Sequence, residues 1–186
     1  MAVATLARVT GFEVIELPST ANDADRIVVD VEQRYGQALF GFVRRLGLTD
    51  EQARDAVQEA LLRLWHELRS GVSIDNPRAW SYRAIYRLAM DQHRLGRRLR
   101  LLSGRLDIGR RTTSDPADSV SDRLAVWSEV DKLPVRQRQV LYLRYRSDLS
   151  FEEVGAVLGI TASAGRSHAT QALATLRRRL TTGEER

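Results

Sequence analysis

Between Ala53 and Leu68 the apolar side chains recur at steps of three and four: Ala53, Ala56, Val57, Ala60, Leu61, Leu64, Trp65 and Leu68. That period places them on one side of a helix and excludes a strand, which would need alternation by two. The opposite side carries Asp55, Gln58, Glu59 and Arg63, with Leu62 among them. Burying the stripe against other helices satisfies the fold. The mixed polar side is then either solvated surface or a docking face for something large.

The same period governs most of the chain, so the expected fold class is all-α. The 186 residues suit one ordinary domain or two small ones, and 43% hydrophobic residues are enough to build cores. Aromatics make up only 6%, with Leu, Ala and Val dominant, which favours helix over sheet. The net charge is +5, carried almost entirely by arginine, with Lys132 the only lysine. Arginine is the better fork for phosphate, although a GC-rich coding bias gives the same usage. The absence of cysteine excludes a disulfide framework and thiolate metal sites. No stretch reads as a signal peptide or a membrane span, so the default compartment is the cytoplasm, with no membrane contact of the chain's own.

Residues 1–22 have no sustained period and read as a mobile tail, with "LARVTGFEVIEL" a short strand at most. Helical patterning begins at Asp23. Ile27, Val31, Tyr35, Ala38, Leu39, Phe42, Val43 and Leu46 form a stripe that ends at Gly47. Thr49 with Gln52 makes a capping box for the second helix, which Gly71 closes. A third helix starts at Pro77, a residue suited to the first helical position. Its expected apolar face is Trp80, Ala84, Ile85, Leu88 and Ala89. Residues 103–121 break the period with Gly104, Gly109, Pro116 and several serines, as a flexible linker does. Two helical domains are therefore expected, 23–102 and 122–186.

In the second domain a helix runs from about Ser121 to Leu133. Ser150 and Glu153 form a second capping box, Gly159 ends that short helix, and Thr161 caps the next. Two short helices on so tight a turn make a helix-turn-helix, of the winged-helix-like kind, whose second helix enters the major groove. Arg136, Arg138, Arg144, Arg146, Arg166 and Arg177 to Arg179 supply positive charge for phosphate contacts. A helical hairpin that only packs is the bland alternative.

Taken together, "DAVQEALLRLW", "NPRAWSYRAIYRLAMDQHRLGRR" and "LPVRQRQVLYLRYRSDLSFEEVGAVLGI", in this order and with this linker, resemble an extracytoplasmic-function sigma factor. These are compact bacterial transcription initiation factors. The resemblance runs from about Val28 to Leu180. It implies a first domain (sigma domain 2) that binds core RNA polymerase and melts the minus-ten element, and a second (sigma domain 4) that reads the minus-35 element. By the same resemblance Asp55, Gln58, Glu59 and Arg63 dock on the polymerase. The loop from Gly71 to Asn76 captures a flipped base, and Arg78, Arg83, Arg87 and Arg94 hold phosphates. Tyr82 and Tyr86 are candidates for base stacking, and Gln92 matches a family position. Arg94, Arg97, Arg98 and Arg100 form the densest basic run, either touching DNA backbone or solvated at a helix end. Arg144, Arg166, Ser167, His168, Thr170 and Gln171 are the candidate minus-35 contacts. The implied partners are core polymerase, promoter DNA and an anti-sigma factor.

The recognition helix departs from the family pattern. Ser163, Ala164 and Gly165 stand where Gly, Thr and Val are usual, and the expected packing stripe is thin until Leu173, Leu176 and Leu180. A helix-turn-helix regulator that works without polymerase, or a sigma-like adaptor held by another protein, stays open on the sequence. No nucleophile–base set and no phosphate-binding glycine loop appears, so no enzyme, catalytic residue or cofactor is expected. His66, His93 and His168 lie in separate helices and make no metal site.

Overall fold

The computed structural model describes residues 19–103 and 121–183. The expected strand at "LARVTGFEVIEL" and nearly all of the expected linker lie outside the described residues. Three helices form the first domain: α1 (Ser19–Arg45), α2 (Asp50–Arg69) and α3 (Pro77–Ser103). The second contains α4 (Ser121–Asp131), α5 (Val135–Leu141), α6 (Phe151–Leu158) and α7 (Ala162–Gly183). The fold is all-α, and no strand stands beside the helix-turn-helix as a wing among the described residues.

Local chemistry sets most of the boundaries. Thr49 accepts from the Gln52 N–H at 3.2 Å, and the Gln52 side chain accepts from the Thr49 N–H at 3.0 Å, so both halves of the capping box form. Ser150 and Glu153 repeat it at α6. Gly47, Gly71 and Gly159 all have positive φ, the conformation that lets a chain leave a helix without a side-chain clash. Asn76 caps α3, accepting from the Ala79 N–H at 3.0 Å. Thr161 caps α7 through the Ala164 N–H at 3.1 Å.

Several expectations are corrected. α1 begins at Ser19 rather than Asp23, and α4 ends at Asp131 rather than Leu133. After α5 the helix widens into a π turn over Tyr142–Arg146, in which the Ser147 N–H reaches back to the Tyr142 carbonyl at 3.0 Å. Along α7 the buried stripe is Ala169, Ala172 and Leu176, whereas Leu173 and Leu180 are exposed. The small residues permit α7 to lie close on α5 and α6, and that rotates the two leucines outward.

One apolar cluster runs through both domains, from Val31 to Leu176. Leu39, Phe42 and Val43 of α1 meet Leu64 of α2 and Tyr82 and Ile85 of α3 in the first domain, each of them essentially inaccessible. Burying such a side chain contributes about 1.5–3 kcal/mol. The third helix therefore buries more than its expected stripe: Ser81, Tyr82 and Tyr86 are inside, and Trp80 is only half-buried.

Two glycines of the helix-turn-helix make opposite demands. A Cβ at Gly155 would lie 2.6 Å from the Ile160 carbonyl oxygen, so α6 and the turn can approach only without one. A Cβ at Gly165 would meet Phe151 Cδ1 at 3.5 Å, an ordinary contact, and Gly165 is not among the positive-φ glycines. Gly165→Ala is expected to stabilise the full chain by up to about 1 kcal/mol, the helical preference of alanine over glycine. Gly155→Ala is expected to destabilise it. Thermal melts followed by circular dichroism check both signs.

Candidate nucleic-acid interface

The mixed face of α2 stays in solvent. Asp55, Gln58, Glu59 and Arg63 are all exposed, and Leu62 is 49% exposed among them. Arg63 Nε donates to Glu59 at 2.7 Å, an i,i+4 pair that holds both side chains on the same ridge. Beside this ridge an open groove between α1 and α2 is lined by Val28, Phe40, Val57, Leu61, Leu62 and Trp65. The Trp65 indole is fixed by a 2.6 Å bond to Asp25. The face thus combines paired charges with an apolar furrow, an arrangement suited to a protein partner.

At the other edge of the first domain the candidate minus-ten residues divide into two groups. Arg87, Gln92, Arg94, Arg97 and Arg98 are exposed along α3. Arg94 pairs with Asp91 at 3.0 Å, and the Arg100 side chain lies outside the described residues. Together they give α3 a basic outer edge that can follow a phosphate backbone. Asn76, Arg78, Tyr82 and Tyr86 instead face the second domain, and Arg83 is half-buried. Tyr82 is 0% and Tyr86 9% exposed, so neither ring presents a face for base stacking in this arrangement. Burial pushes the Tyr82 hydroxyl well above the ordinary phenol range, with the neighbouring Tyr142 adding to the shift. An open cavity of about 600 Å³ remains at the start of α3, lined by Tyr35, Asn76, Pro77 and Arg78 with Arg26 and Asp30. Tyr35 was not singled out in the sequence because its position fits the apolar stripe of α1. In space the Arg78 guanidinium stands 5.4 Å from its ring centroid.

The helix-turn-helix presents Arg166, Ser167, Thr170 and Gln171 outward on α7, with His168 half-buried. Thr170 donates to the Arg166 carbonyl at 3.0 Å and Ser167 to that of Ser163 at 3.1 Å. Gln171 accepts from Gln137 at 3.4 Å. Arg166 reaches Glu152 at 3.2 Å and stands over Phe151. The Glu152 carboxyl is held below the usual carboxylate range, first by its own backbone N–H and then by Arg166. It is therefore ionised at neutral pH and competes with phosphate for the same guanidinium. Arg144 is turned inward, to Asp148 at 3.5 Å and the Leu149 carbonyl at 3.3 Å, so it braces the turn before α6. Among the described residues no group of His, Cys, Asp or Glu side chains could hold a metal ion. None of the described helices is long and apolar enough to cross a membrane.

Residues 33–99 match the sigma-70 region 2 family and residues 130–178 the sigma-70 region 4 family, together more than half of the chain. The RNA polymerase sigma factor NccH of Alcaligenes xylosoxydans xylosoxydans is 29% identical over 151 residues, covering 77% of this chain and 81% of that protein. The ECF RNA polymerase sigma factor SigL of Mycobacterium tuberculosis is 27% identical over 146 residues, covering 77% and 82%. Among solved structures, CnrH in complex with the cytosolic domain of CnrY is 25% identical, with a TM-score of 0.55 over 88% of this chain and 96% of that one. The sigma factor RpoE of Bartonella quintana, solved with the anti-sigma factor NepR, shares the fold at a TM-score of 0.61 and 22% identity, over 82% of this chain and 97% of that one. With both regions present in order on an all-α frame, the chain belongs to the extracytoplasmic-function class of sigma-70 family factors, non-enzymatic proteins that bind core RNA polymerase and recognise promoters.

Proposed function

We propose that the first domain docks on core polymerase through the α2 face and melts the minus-ten element along α3, while α7 reads the minus-35 element. The observation that carries this reading is the separation of three surfaces on one frame. Asp55, Gln58, Glu59 and Arg63 are exposed on α2, a basic edge runs along α3, and Arg166, Ser167, Thr170 and Gln171 project from α7. The core partner meets paired charges, which set orientation and encounter rate. The displaced strand meets arginines that hold phosphate without reading sequence. A flipped base costs a few kcal/mol of stacking; the cavity at the start of α3 offers it the Tyr35 ring as an aromatic wall, and the Asn76 amide can bond it once released from Glu153. The protein works in the cytoplasm and is held in check by an anti-sigma partner. Support for such a partner comes from CnrH, which was solved bound to another protein.

The decisive test is transcription from a promoter library by purified core enzyme with and without this protein. Asp55→Arg with Glu59→Arg is expected to leave the helical content intact and to weaken core binding at least about tenfold, since like-charge juxtaposition costs several kcal/mol. Fluorescence titration of labelled chain with core measures it, and unchanged affinity removes the α2 face from the docking surface.

For melting, Arg83→Ala is expected to lower permanganate reactivity of promoter thymines severalfold at a fixed holoenzyme concentration, with core affinity unaltered. Asn76→Ala should act in the same direction but also lose the α3 cap, about 1 kcal/mol, so its melting temperature must be read alongside.

Arg166→Ala is expected to weaken upstream binding and to reduce the slope of log affinity against log salt by about 0.9, one counterion fewer. Footprinting across a salt series gives that slope, and an unchanged slope takes Arg166 off the phosphate contacts.

A further inference from the structure

A base edge in the major groove is read by matching hydrogen-bond polarity. Guanine shows two acceptors and calls for donors, the amines of adenine and cytosine call for acceptors, and thymine alone adds a methyl group. The groups on the outward side of α7 are not of one sign. Ser167 and Thr170 each have one hydroxyl proton, and each gives it to its own helix, to the Ser163 carbonyl at 3.1 Å and the Arg166 carbonyl at 3.0 Å. What remains toward solvent is the oxygen, an acceptor. The Gln171 carbonyl oxygen is engaged by Gln137 at 3.4 Å, which leaves the amide protons of Gln171 for donation.

Thr170 carries a second feature. Its side chain branches at Cβ, so the bond from Oγ1 to the Arg166 carbonyl also fixes where the Cγ2 methyl stands. The residue points away from the buried Ala169, Ala172 and Leu176. Ser167 and Ala174, about one turn before and after it, are exposed and short. Arg166, also one turn earlier, is drawn aside to Glu152 at 3.2 Å across the Phe151 ring. A base edge brought against this side therefore meets an oriented methyl group beside an acceptor oxygen.

We propose that Thr170 is a specificity residue for the upstream element, its methyl packed on a thymine 5-methyl and its hydroxyl oxygen accepting from an adenine amine, so that α7 selects an A·T pair at that position. This rests on the assignment of α7 to the minus-35 element. It adds which base pair the helix selects at one place, and by what contact. A guanine there would set its two acceptors against the Thr170 oxygen, and the hydroxyl proton would have to leave the helix to meet them.

Replacing thymine by uracil removes the 5-methyl and nothing else, which makes it the direct test. The probe is a double-stranded promoter that the wild-type holoenzyme selects from the library, with each thymine of its footprinted upstream element replaced in turn. Wild-type holoenzyme is expected to lose about fourfold in affinity at one such position, the value of one buried methyl. Thr170→Ser keeps the hydroxyl and its bond to the helix but removes the methyl. Its holoenzyme should bind the thymine probe about fourfold more weakly than wild type and be indifferent to uracil at that position, so that the two losses do not add. Thr170→Val keeps a methyl and removes the oxygen. The uracil penalty should persist in it, whereas the penalty for a purine lacking the 6-amine in place of adenine should vanish. Equal uracil penalties in the wild-type and Thr170→Ser holoenzymes overturn the proposal. Thymine and uracil probes bound alike by wild type, while Arg166→Ala still weakens upstream binding, also overturn it and leave the minus-35 assignment standing. If neither Arg166→Ala nor Thr170→Ser alters upstream binding, the assignment of α7 itself fails, and the thymine contact with it.

Discussion

The seating of Tyr142 against α1 is the contact on which the arrangement of the two domains depends. An aromatic ring with a polar tip needs both apolar walls and a hydrogen-bond acceptor when it is buried. Phe42 and Trp127 supply walls, the latter edge-on at 5.8 Å, and the Ala38 carbonyl accepts the hydroxyl. Arg45 lies over the ring and reaches Asp131 of the second domain at 3.7 Å. Phe42 also meets Tyr82 edge to face at 5.4 Å. The same phenylalanine therefore serves the core of its own domain and the junction, which is why one apolar cluster spans both.

What was legible in the sequence was the chemistry that acts over three or four residues. Thr49 with Gln52, Ser150 with Glu153, Pro77 at the start of α3 and the glycines that end helices all behave as local rules require. The exposed face of α2 followed from period alone. The misreadings have non-local causes. Tyr82 and Tyr86 looked available for stacking because they lie off the stripe read for α3, but Tyr82 packs on Phe42 in the core of its own domain, and Tyr86 is met by Arg136 from fifty residues away in sequence. Leu173 and Leu180 looked like core because they are leucines at a fitting interval. The alanines at 169 and 172 let α7 settle closer and turn the larger side chains to solvent. The π turn leaves no mark in composition at all.

Several polar groups carry two tasks. Asn76 both caps α3 and meets Glu153, and Glu153 is itself half of the capping box of α6. Glu152 pairs with Arg166 at 3.2 Å while it also lies in the first turn of α6.

The π turn also fixes a phase. It holds one residue more than an α-helical turn would, between the helix bearing the Tyr142 ring and the loop leading into α6. Each residue of an α-helix advances the chain by about 100° around the axis. Deleting a single residue there would heal the backbone ladder, yet it would swing the helix-turn-helix around α5 relative to the tyrosine that seats it. The bulge thus acts as a gear tooth: it sets the angular offset between the part of the second domain that grips its neighbour and the exposed polar face of α7, and insertions or deletions in it would be felt as a change of aim before any loss of fold.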